Sequence, residues 1–491
     1  MLSTNRAAGV GTCAAVLVFF AAACGGGGDD GGGQGPIVAT RVEITPSVTT
    51  LQDCMQSTLQ AAAFNAQDQP VAGVNFTFSS SNSSVLQVSG TGTMTGAGAG
   101  TAFARVSAGS LADSVAITVT DSLRLSVGDR MPDLAIGAQY TLQVSLLDCR
   151  GAVRAGVVTF TTLDAGVVTA QGAGILNGIA AGQTWVRIAA GGLLDSADVA
   201  VVSHPAGVLG TPTPVAGGPF GVAVSRTGPV IAALLTAAQV AVLPPTGGSH
   251  TLIAAQLNPT DVAFSRDGAS AFVANQGGGT LGRLNVAGGT QTTAHPIGFS
   301  PFRVRVSRDG TRVFVAGNGG GVAVMNRATG APITSYTMQA DQNGLAETQD
   351  GSHLYVSSMS FGVVREVTTA TGVVGRSFAI GGTAQEVVLS SNDALLFVAV
   401  ESSDFVQVWN LASGTKIDSI DVGAGTFGMA LSPDGQRLYA TSVGVVTIID
   451  AAARTVLSTV PVGGNPRRVA FNRPGTRAIV ANESGWVDFI N

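Results

Sequence analysis

The segment Ser265-Arg266-Asp267-Gly268 is one of seven similar turns that recur through the second half of the sequence. Each turn lies between two short apolar stretches, and Asp-Gly favours hairpin turns because Gly adopts a positive φ at little cost. Two more apolar stretches follow before the next turn, so each repeat predicts a four-stranded sheet, and residues 205–491 predict a seven-bladed β-propeller. The turns end, at intervals of 40 to 42 residues, at Gly228, Gly268, Gly310, Gly351, Asp393, Gly435 and Gly475.

A related tetrapeptide follows most of these turns, as in Phe272-Val273-Ala274-Asn275. Together with turns such as Ser432-Pro433-Asp434-Gly435, it resembles the Tyr-Val-Thr-Asn signature of the YVTN-family β-propellers over residues 205–491. The resemblance implies the fold and no single activity, because such propellers serve both as binding platforms and as enzymes. The last repeat has three apolar stretches, so we expect Val208–Val215 to supply the fourth strand beside Trp486–Ile490.

An internal duplication precedes the propeller repeats. Arg105–Ser114 (RVSAGSLADS) recurs 82 residues later as Arg187–Ser196 (RIAAGGLLDS). Short alternating stretches bounded by turn residues predict Ig-like domains at 38–120 and 121–203. Ser79–Val85 and Gly92–Gly96 resemble the bacterial Ig-like group 2 (BIG2) family, although Thr161–Asp164 replaces the Ser-rich stretch in the second copy. The expected fold class is all-β: two tandem Ig-like β-sandwiches followed by a seven-bladed β-propeller.

The amino terminus has the basic, apolar and small-residue regions of an export signal. Because Phe20-Ala21-Ala22-Ala23 precedes Cys24, it resembles a bacterial lipoprotein signal, which implies removal of residues 1–23 and acylation of Cys24. The alternative is a plain secretory signal with a chance cysteine. The Gly-rich linker 24–37 suits a lipid-anchored protein. We therefore expect a lipid anchor in a bacterial membrane, on the periplasmic or the cell-surface side of the cell envelope.

Composition and motifs exclude several functions. Charged residues make up 11% of the chain and the formal net charge is -5, so the basic surface that nucleic acid requires is missing. The four histidines, which are His204, His250, His295 and His353, are scattered, and no metal-ligand, nucleophile-elbow or haem-attachment motif occurs. No metal, no cofactor and no catalytic residue is predicted.

Two cysteines remain after removal of the signal and acylation of Cys24. Cys54 and Cys149 fall in different Ig-like copies, in a compartment where disulfides persist. Both would lie in turns facing the same interdomain junction. A Cys54–Cys149 disulfide is the hypothesis, and two separate thiols are the alternative left open.

The one concentration of chemistry lies just before the inner strands of the propeller, at the axial mouth. The seven residues predicted to be equivalent are Gly221, Asp261, Arg303, Leu345, Glu386, Gly428 and Arg468. Four are charged, so they could bind an anion, hold a metal or act as acid and base, and the alternative is that they form ion pairs between blades. Neighbouring aromatic residues could form an apolar rim or simply pack, and they are Phe220, Phe302 and Phe427.

Two unusual inner-strand residues predict a further contact. Arg305 stands where other blades have Ala or Val, and Glu347 stands where others have Val, Phe or Leu. Because they belong to adjacent blades, we expect an inter-blade ion pair.

These features favour a lipid-anchored, extracytoplasmic binding or surface-organising protein, in which an Ig-like stalk presents a propeller face. Its partners would be membrane lipid, through acylated Cys24, and an unknown protein or glycan ligand at that face. The alternative is an enzyme, a lactonase-like hydrolase with an axial active site. The metal-binding acidic cluster of such hydrolases is not recognisable in this sequence.

Overall fold

The protein is all-β. The computed structural model describes residues 38–268, 270–338 and 341–491, which contain 45 strands and one short 3-10 turn, Gly172–Gly174. The chain divides into two compact units, one ending at Ser122 and one comprising Leu123–Asn491. Among the described residues, no helix has the length and apolar character needed to cross a membrane. The predicted signal, Cys24 and the Gly-rich linker lie outside the described residues.

The first unit contains two four-stranded sheets that share one core. Their strand orders are β1-β3-β6-β5 and β2-β8-β7-β4. In β1, Val42 and Ile44 are buried between exposed Arg41, Glu43 and Thr45, as expected where one sheet face meets a core. The strands are β1 (Arg41–Pro46), β2 (Thr50–Gln52), β3 (Gln56–Phe64), β4 (Thr77–Ser80), β5 (Leu86–Val88), β6 (Thr93–Gly96), β7 (Gly100–Ala108) and β8 (Leu111–Thr120).

The second unit begins with three sheets, of four, three and two strands, around a second core. Their orders are β10-β17-β16-β13, β11-β15-β14 and β12-β9. The duplicated segment forms the tip of a long hairpin in both units, β7–β8 in the first and β16–β17 in the second. The strands are β9 (Arg124–Val127), β10 (Asp133–Ala135), β11 (Gln139–Thr141), β12 (Val144–Leu147), β13 (Thr159–Thr162), β14 (Val168–Ala170), β15 (Ile175–Gly178), β16 (Gly182–Ala190) and β17 (Leu193–Val202).

The rest of the second unit consists of four-stranded antiparallel sheets. Six are formed by consecutive strands: β19 (Pro219–Val224), β20 (Val230–Leu234), β21 (Gln239–Leu243) and β22 (Thr251–Ala254); β23 (Pro259–Phe264), β24 (Ala271–Asn275), β25 (Thr280–Asn285) and β26 (Thr290–Pro296); β27 (Ser300–Val306), β28 (Arg312–Asn318), β29 (Gly321–Asn326) and β30 (Pro332–Tyr336); β31 (Gln342–Glu347), β32 (His353–Ser358), β33 (Val363–Thr368) and β34 (Val374–Ala379); β35 (Ala384–Leu389), β36 (Leu395–Val400), β37 (Phe405–Asn410) and β38 (Thr415–Asp421); β39 (Met429–Leu431), β40 (Arg437–Ser442), β41 (Val445–Asp450) and β42 (Thr455–Pro461). The seventh combines β18 (Thr213–Pro214) with β43 (Pro466–Phe471), β44 (Ala478–Asn482) and β45 (Trp486–Ile490).

These seven sheets contact one another through their first strands. The contacts run from β19 through β23, β27, β31, β35 and β39 to β43, and β43 contacts β19, so the sheets form a closed cycle. Second strands such as β24 are buried on both faces between neighbouring sheets, whereas fourth strands such as β30 are largely exposed. The Val- and Ala-rich second strands and the more polar fourth strands follow this gradient of burial.

The cycle closes as the sequence predicts. Thr213 pairs with Val487 and Pro214 with Trp486, and Leu209 forms a bridge with Ile490. Backbone N–H groups of Val208, Gly210 and Val215 donate to the end of the chain, at 2.9, 2.7 and 2.9 Å. The predicted fourth strand of the last sheet is therefore confirmed, and it leaves β45 with partners on both sides.

The two ends of each sheet carry different connections. The seven recurring turns join first to second strands, and their hydroxyl and carboxylate groups bond within the turn, as where Ser432 Oγ donates to Asp434 Oδ1 at 2.6 Å. We call this end the turn rim. Because the strands alternate in direction, the second-to-third and sheet-to-sheet connections lie at the opposite end, the loop rim.

The strands 123–202 of the second unit contact the turn rim. Arg473, in the turn of the last sheet, lies 2.7 Å from a carboxylate oxygen of Asp198 and 2.8 Å from one of Asp133. Arg226, in the turn of the first sheet, also binds Asp133, at 2.8 Å. The loop rim is therefore the end of the cycle that lies away from β9–β17.

Candidate functional site

The charged residues predicted at the axial mouth occupy one equivalent position of the first strands. These axial positions are Gly221, Asp261, Arg303, Gly344, Glu386, Gly428 and Arg468. The fourth is Gly344 and not Leu345, because Leu345 pairs with Val356 as Val304 pairs with Val315. The sequence assignment was one residue off at this sheet, where Gln342 replaces the proline that marks four of the others.

Glycine at three axial positions brings neighbouring sheets close together. A Cβ on Gly428 would lie 2.1 Å from the carbonyl oxygen of Arg467, and one on Gly344 would lie 2.6 Å from that of Gln385. Both distances are below any tolerable contact, so a side chain there would force the first strands apart. Only the four charged residues therefore project side chains from this layer.

The four charged side chains pair with one another; we call them the axial charge cluster. The guanidinium of Arg303 lies 3.2 Å from Asp261 and 2.6 Å from Glu386. The guanidinium of Arg468 lies 2.6 Å from Glu386 and 3.6 Å from Asp261. Each carboxylate thus faces both arginines, and the formal charges cancel. The sequence analysis predicted that these four residues lie together. Of its two interpretations, ion pairing among them matches the geometry.

Burial makes this cluster electrostatically strong. The side chains of Asp261, Glu386 and Arg468 are 1%, 2% and 3% exposed. Burial, reinforced by repulsion from Arg303, lowers the pKa of Arg468 to about 10. Burial opposes the charge of Arg303 as well, but attraction to Asp261 and Glu386 outweighs it, and the pKa of Arg303 is raised.

The carboxylates of the cluster have little capacity left for other chemistry. Besides the arginines, Asp261 Oδ2 accepts the backbone N–H of Val304 at 3.0 Å. A metal ligand or a general base needs an oxygen that is free to meet the ion or the proton. The arrangement therefore joins the second, third, fifth and seventh sheets across the middle of the cycle.

A polar chain that sequence reasoning missed continues from this cluster. Arg468 Nη2 donates to Asn343 Oδ1 at 3.4 Å, and Asn343 donates to Gln385. Gln385 in turn donates to Glu401, beside the loop rim. Their place in the sequence could have identified these residues, because Asn343 and Gln385 directly precede the axial position of their strands.

The three predicted aromatic residues form a packed plug. The ring of Phe220 lies edge-on to those of Phe302 and Phe427, with centroids 5.7 and 5.3 Å apart. The three belong to the first, third and sixth sheets, so they meet across the middle of the cycle. Arg467 lies over Phe427, with its guanidinium carbon 4.7 Å from the ring centroid. Because Phe220 and Phe427 are only 5% and 4% exposed, packing rather than an open apolar rim describes them.

Arg305 and Glu347 do not form the direct ion pair that the sequence suggested. Glu347 Oε2 instead accepts the backbone N–H of Arg308 at 2.8 Å. Burial raises the pKa of Glu347, and Arg305 attracts its carboxylate without a hydrogen bond to it. Alternation along the strands explains the outcome, because these residues are one register position apart on neighbouring sheets.

The three cysteines of the sequence predictions lie in different parts of the chain. Cys24 lies outside the described residues. Cys54 follows β2 in the first unit, with φ at +62°, and Cys149 follows β12 in the second unit. Since they belong to different units, their disulfide stays a prediction.

The loop rim carries exposed apolar side chains. Leu257, Phe361 and Val443 lie on connections of this rim and are 64%, 49% and 65% exposed. The acidic residues Asp404 and Asp421 are exposed at the same end. Isolated exposed apolar residues are ordinary, and these three lie on an end of the cycle that β9–β17 do not contact, so they are open to a partner.

The comparisons with known proteins concern the fold alone. A chain of Kuenenia stuttgartiensis hydrazine synthase superposes with a TM-score of 0.53 at 19% identity, over 57% of this chain and 97% of its own. A chain of the mitotic checkpoint complex gives 0.53 at 15% identity, over 59% of this chain and 94% of its own. Because 1618 solved chains match, the likeness points to no single activity. No protein-family model and no curated protein matches the chain.

Proposed function

We propose that this chain is a lipid-anchored, extracytoplasmic binding or surface-organising protein. In this proposal, two Ig-like modules of the BIG2 type present a seven-bladed β-propeller of the YVTN type. The export-signal pattern before Cys24 supports the anchor, and the sheets sharing one core in 38–120 support an Ig-like module. The closed cycle of four-stranded sheets supports the propeller.

The working surface of the proposed binding protein is the loop rim. The observation that carries this proposal is the exposure of Leu257, Phe361 and Val443 at the end of the cycle that β9–β17 leave uncovered. Desolvation of such side chains favours association, and nearby Asp404 and Asp421 would favour a partner with basic groups at its margin. An unknown protein or a glycan is the expected ligand.

The alternative, a lactonase-like hydrolase with an axial active site, has less support. It requires Asp261 or Glu386 to hold a metal or to take up a proton at an open mouth. The two carboxylates are instead buried against Arg303 and Arg468, and the aromatic plug lies beside them. This pairing favours a binding protein over an enzyme.

Protein and glycan arrays test the proposal. The exported chain, made soluble by Cys24→Ser, should bind a defined set of proteins or glycans. A triple variant, Leu257→Ser, Phe361→Ser and Val443→Ser, should lose that set. Leu194→Ser is the matched control, because Leu194 is 81% exposed on β17. Unchanged binding by the triple variant would overturn the assignment to the loop rim.

A further inference from the structure

A cavity of about 550 Å³ lies in the middle of the cycle, on the turn-rim side of the axial charge cluster. Its walls are mostly small aliphatic side chains of the first strands, such as Val222, Ala263, Val388 and Ala470. The volume is within the range of small-molecule sites, about 300 to 1,000 Å³, and such sites are typically apolar with a few polar groups.

The charged groups that line this cavity are predominantly basic. They are Arg303, Arg305, Arg308, Glu347 and Arg468. Arg303 and Arg468 are neutralised by Asp261 and Glu386, as described above. Glu347 balances one of the two remaining arginines, so the lining keeps an excess of one positive charge.

Arg305 is the group that lacks a partner. Within the described ranges, its side chain has no hydrogen bond and no carboxylate within 4.0 Å, and it is only partly exposed. Burial and repulsion from Arg303 lower its pKa, in contrast to the paired Arg303. Arg305 lines the cavity, and no protein group occupies its donors, so they are available to a ligand.

The repeats show that the fold does not need an arginine at this place. The equivalent residues of the other first strands are Ala223, Ala263, Ala346, Val388, Ala430 and Ala470. Six small residues leave the space into which the long side chain of Arg305 extends. Its presence in one sheet alone gives the cavity lining its excess of one positive charge.

We propose that this cavity binds a small molecule that carries a carboxylate or phosphate group. The planar donors of Arg305 match the two oxygens of such a group. Arg308 also lines the cavity, and Glu347 balances its charge. The aliphatic walls accept a compact apolar body. The inference goes beyond the loop-rim proposal and does not rest on it.

Calorimetric titration and thermal unfolding of the exported Cys24→Ser chain test the site, with benzoate and inorganic phosphate as probes and chloride at equal ionic strength as reference. At least one probe should bind to the chain that retains Arg305 and raise its melting temperature. Arg305→Gln should weaken binding of that probe at least tenfold. Arg187→Gln, which removes an exposed arginine of β16, should leave it unchanged.

Arg305→Met separates binding from folding. Arg305 has no partner to lose. In the absence of ligand, the melting temperature of this variant should therefore be no lower than that of the parent chain. The proposal would be overturned if neither probe binds at a concentration of 10 mM, which would mean that the Kd of each probe is weaker than about 1 mM. Undiminished binding by Arg305→Gln, or a clearly lowered melting temperature of Arg305→Met, would overturn it as well.

Discussion

Arg468 and Glu386 are 82 residues apart in the sequence, yet a guanidinium nitrogen of Arg468 lies 2.6 Å from Oε2 of Glu386. The same oxygen lies 2.6 Å from Arg303. One carboxylate thus joins the third, fifth and seventh sheets across the middle of the cycle, and it does so where both it and Arg468 are nearly inaccessible to solvent.

Glu386→Gln should therefore destabilise the second unit strongly. Loss of the carboxylate leaves two arginines with one acid, Asp261, and breaking a buried ion pair costs about 3 to 5 kcal/mol. Chemical denaturation measures the free energy of unfolding. Asp404→Asn, which neutralises an exposed acid of the loop rim, is the control and should change it by less than about 0.5 kcal/mol. Equal stability of the two variants would contradict the pairing.

Much of the fold was predictable because the turns repeat with a nearly constant period. The seven sheets and the closing pairing of Val208–Val215 follow from that period and from one missing stretch in the last repeat. The axial position of Asp261, Arg303, Glu386 and Arg468 also followed from strand register.

The partners within the site were less predictable. Arg303 reaches Glu386 past an intervening sheet, because Gly344 leaves that sheet without a side chain in the layer. Register alone identifies neighbours, so it suggested Arg305 with Glu347 instead. Arg473 belongs to the repeats and Asp198 lies outside them, so no repeat or spacing in the sequence predicts their contact.

Arg473→Gln should loosen β9–β17 from the turn rim. The Arg473 side chain is 3% exposed and binds Asp133, Asp198 and the carbonyl oxygen of Pro132, so its loss should cost about 3 kcal/mol. Limited proteolysis should cleave faster between residues 203 and 212 than in the parent chain. Arg187→Gln controls for the removal of one arginine, and indistinguishable cleavage of the two variants would show that the contact contributes little.

Asp488 should make stability depend on pH. Burial raises its pKa to about 6, even though Asn482 and Trp486 donate hydrogen bonds to it. The folded state therefore holds the proton more tightly than the unfolded state. The contribution of Asp488 to stability should be greatest below about pH 4, fall as the pH rises to about 6, and stay lower above it, by at most about 3 kcal/mol.

Asp488→Asn tests that dependence. The variant should be more stable than the parent by about 2 kcal/mol at pH 7, and the difference should shrink towards pH 4. Asp404→Asn serves as the exposed control. A variant less stable than the parent at pH 7 would show that the ionised carboxylate is favoured in the fold.

The Cys54–Cys149 disulfide predicts one covalent link between the two units. Mass spectrometry of the exported, unreduced protein should find a peptide pair joined through these residues. Reduction should then lower the melting temperature, because a bridge restricts the unfolded chain and typically contributes about 2 to 4 kcal/mol. Free thiols at both positions would refute the link.

Site-specific photo-crosslinking in intact cells tests the loop-rim assignment most directly. A photoreactive phenylalanine at position 361 places the probe on the exposed loop rim, and the same probe at position 194 places it on β17. We expect irradiation to produce a discrete, higher-mass adduct from position 361 and none from position 194. The same adduct from both positions, or none from position 361 in membranes that contain the acylated protein, would contradict a binding function at the loop rim.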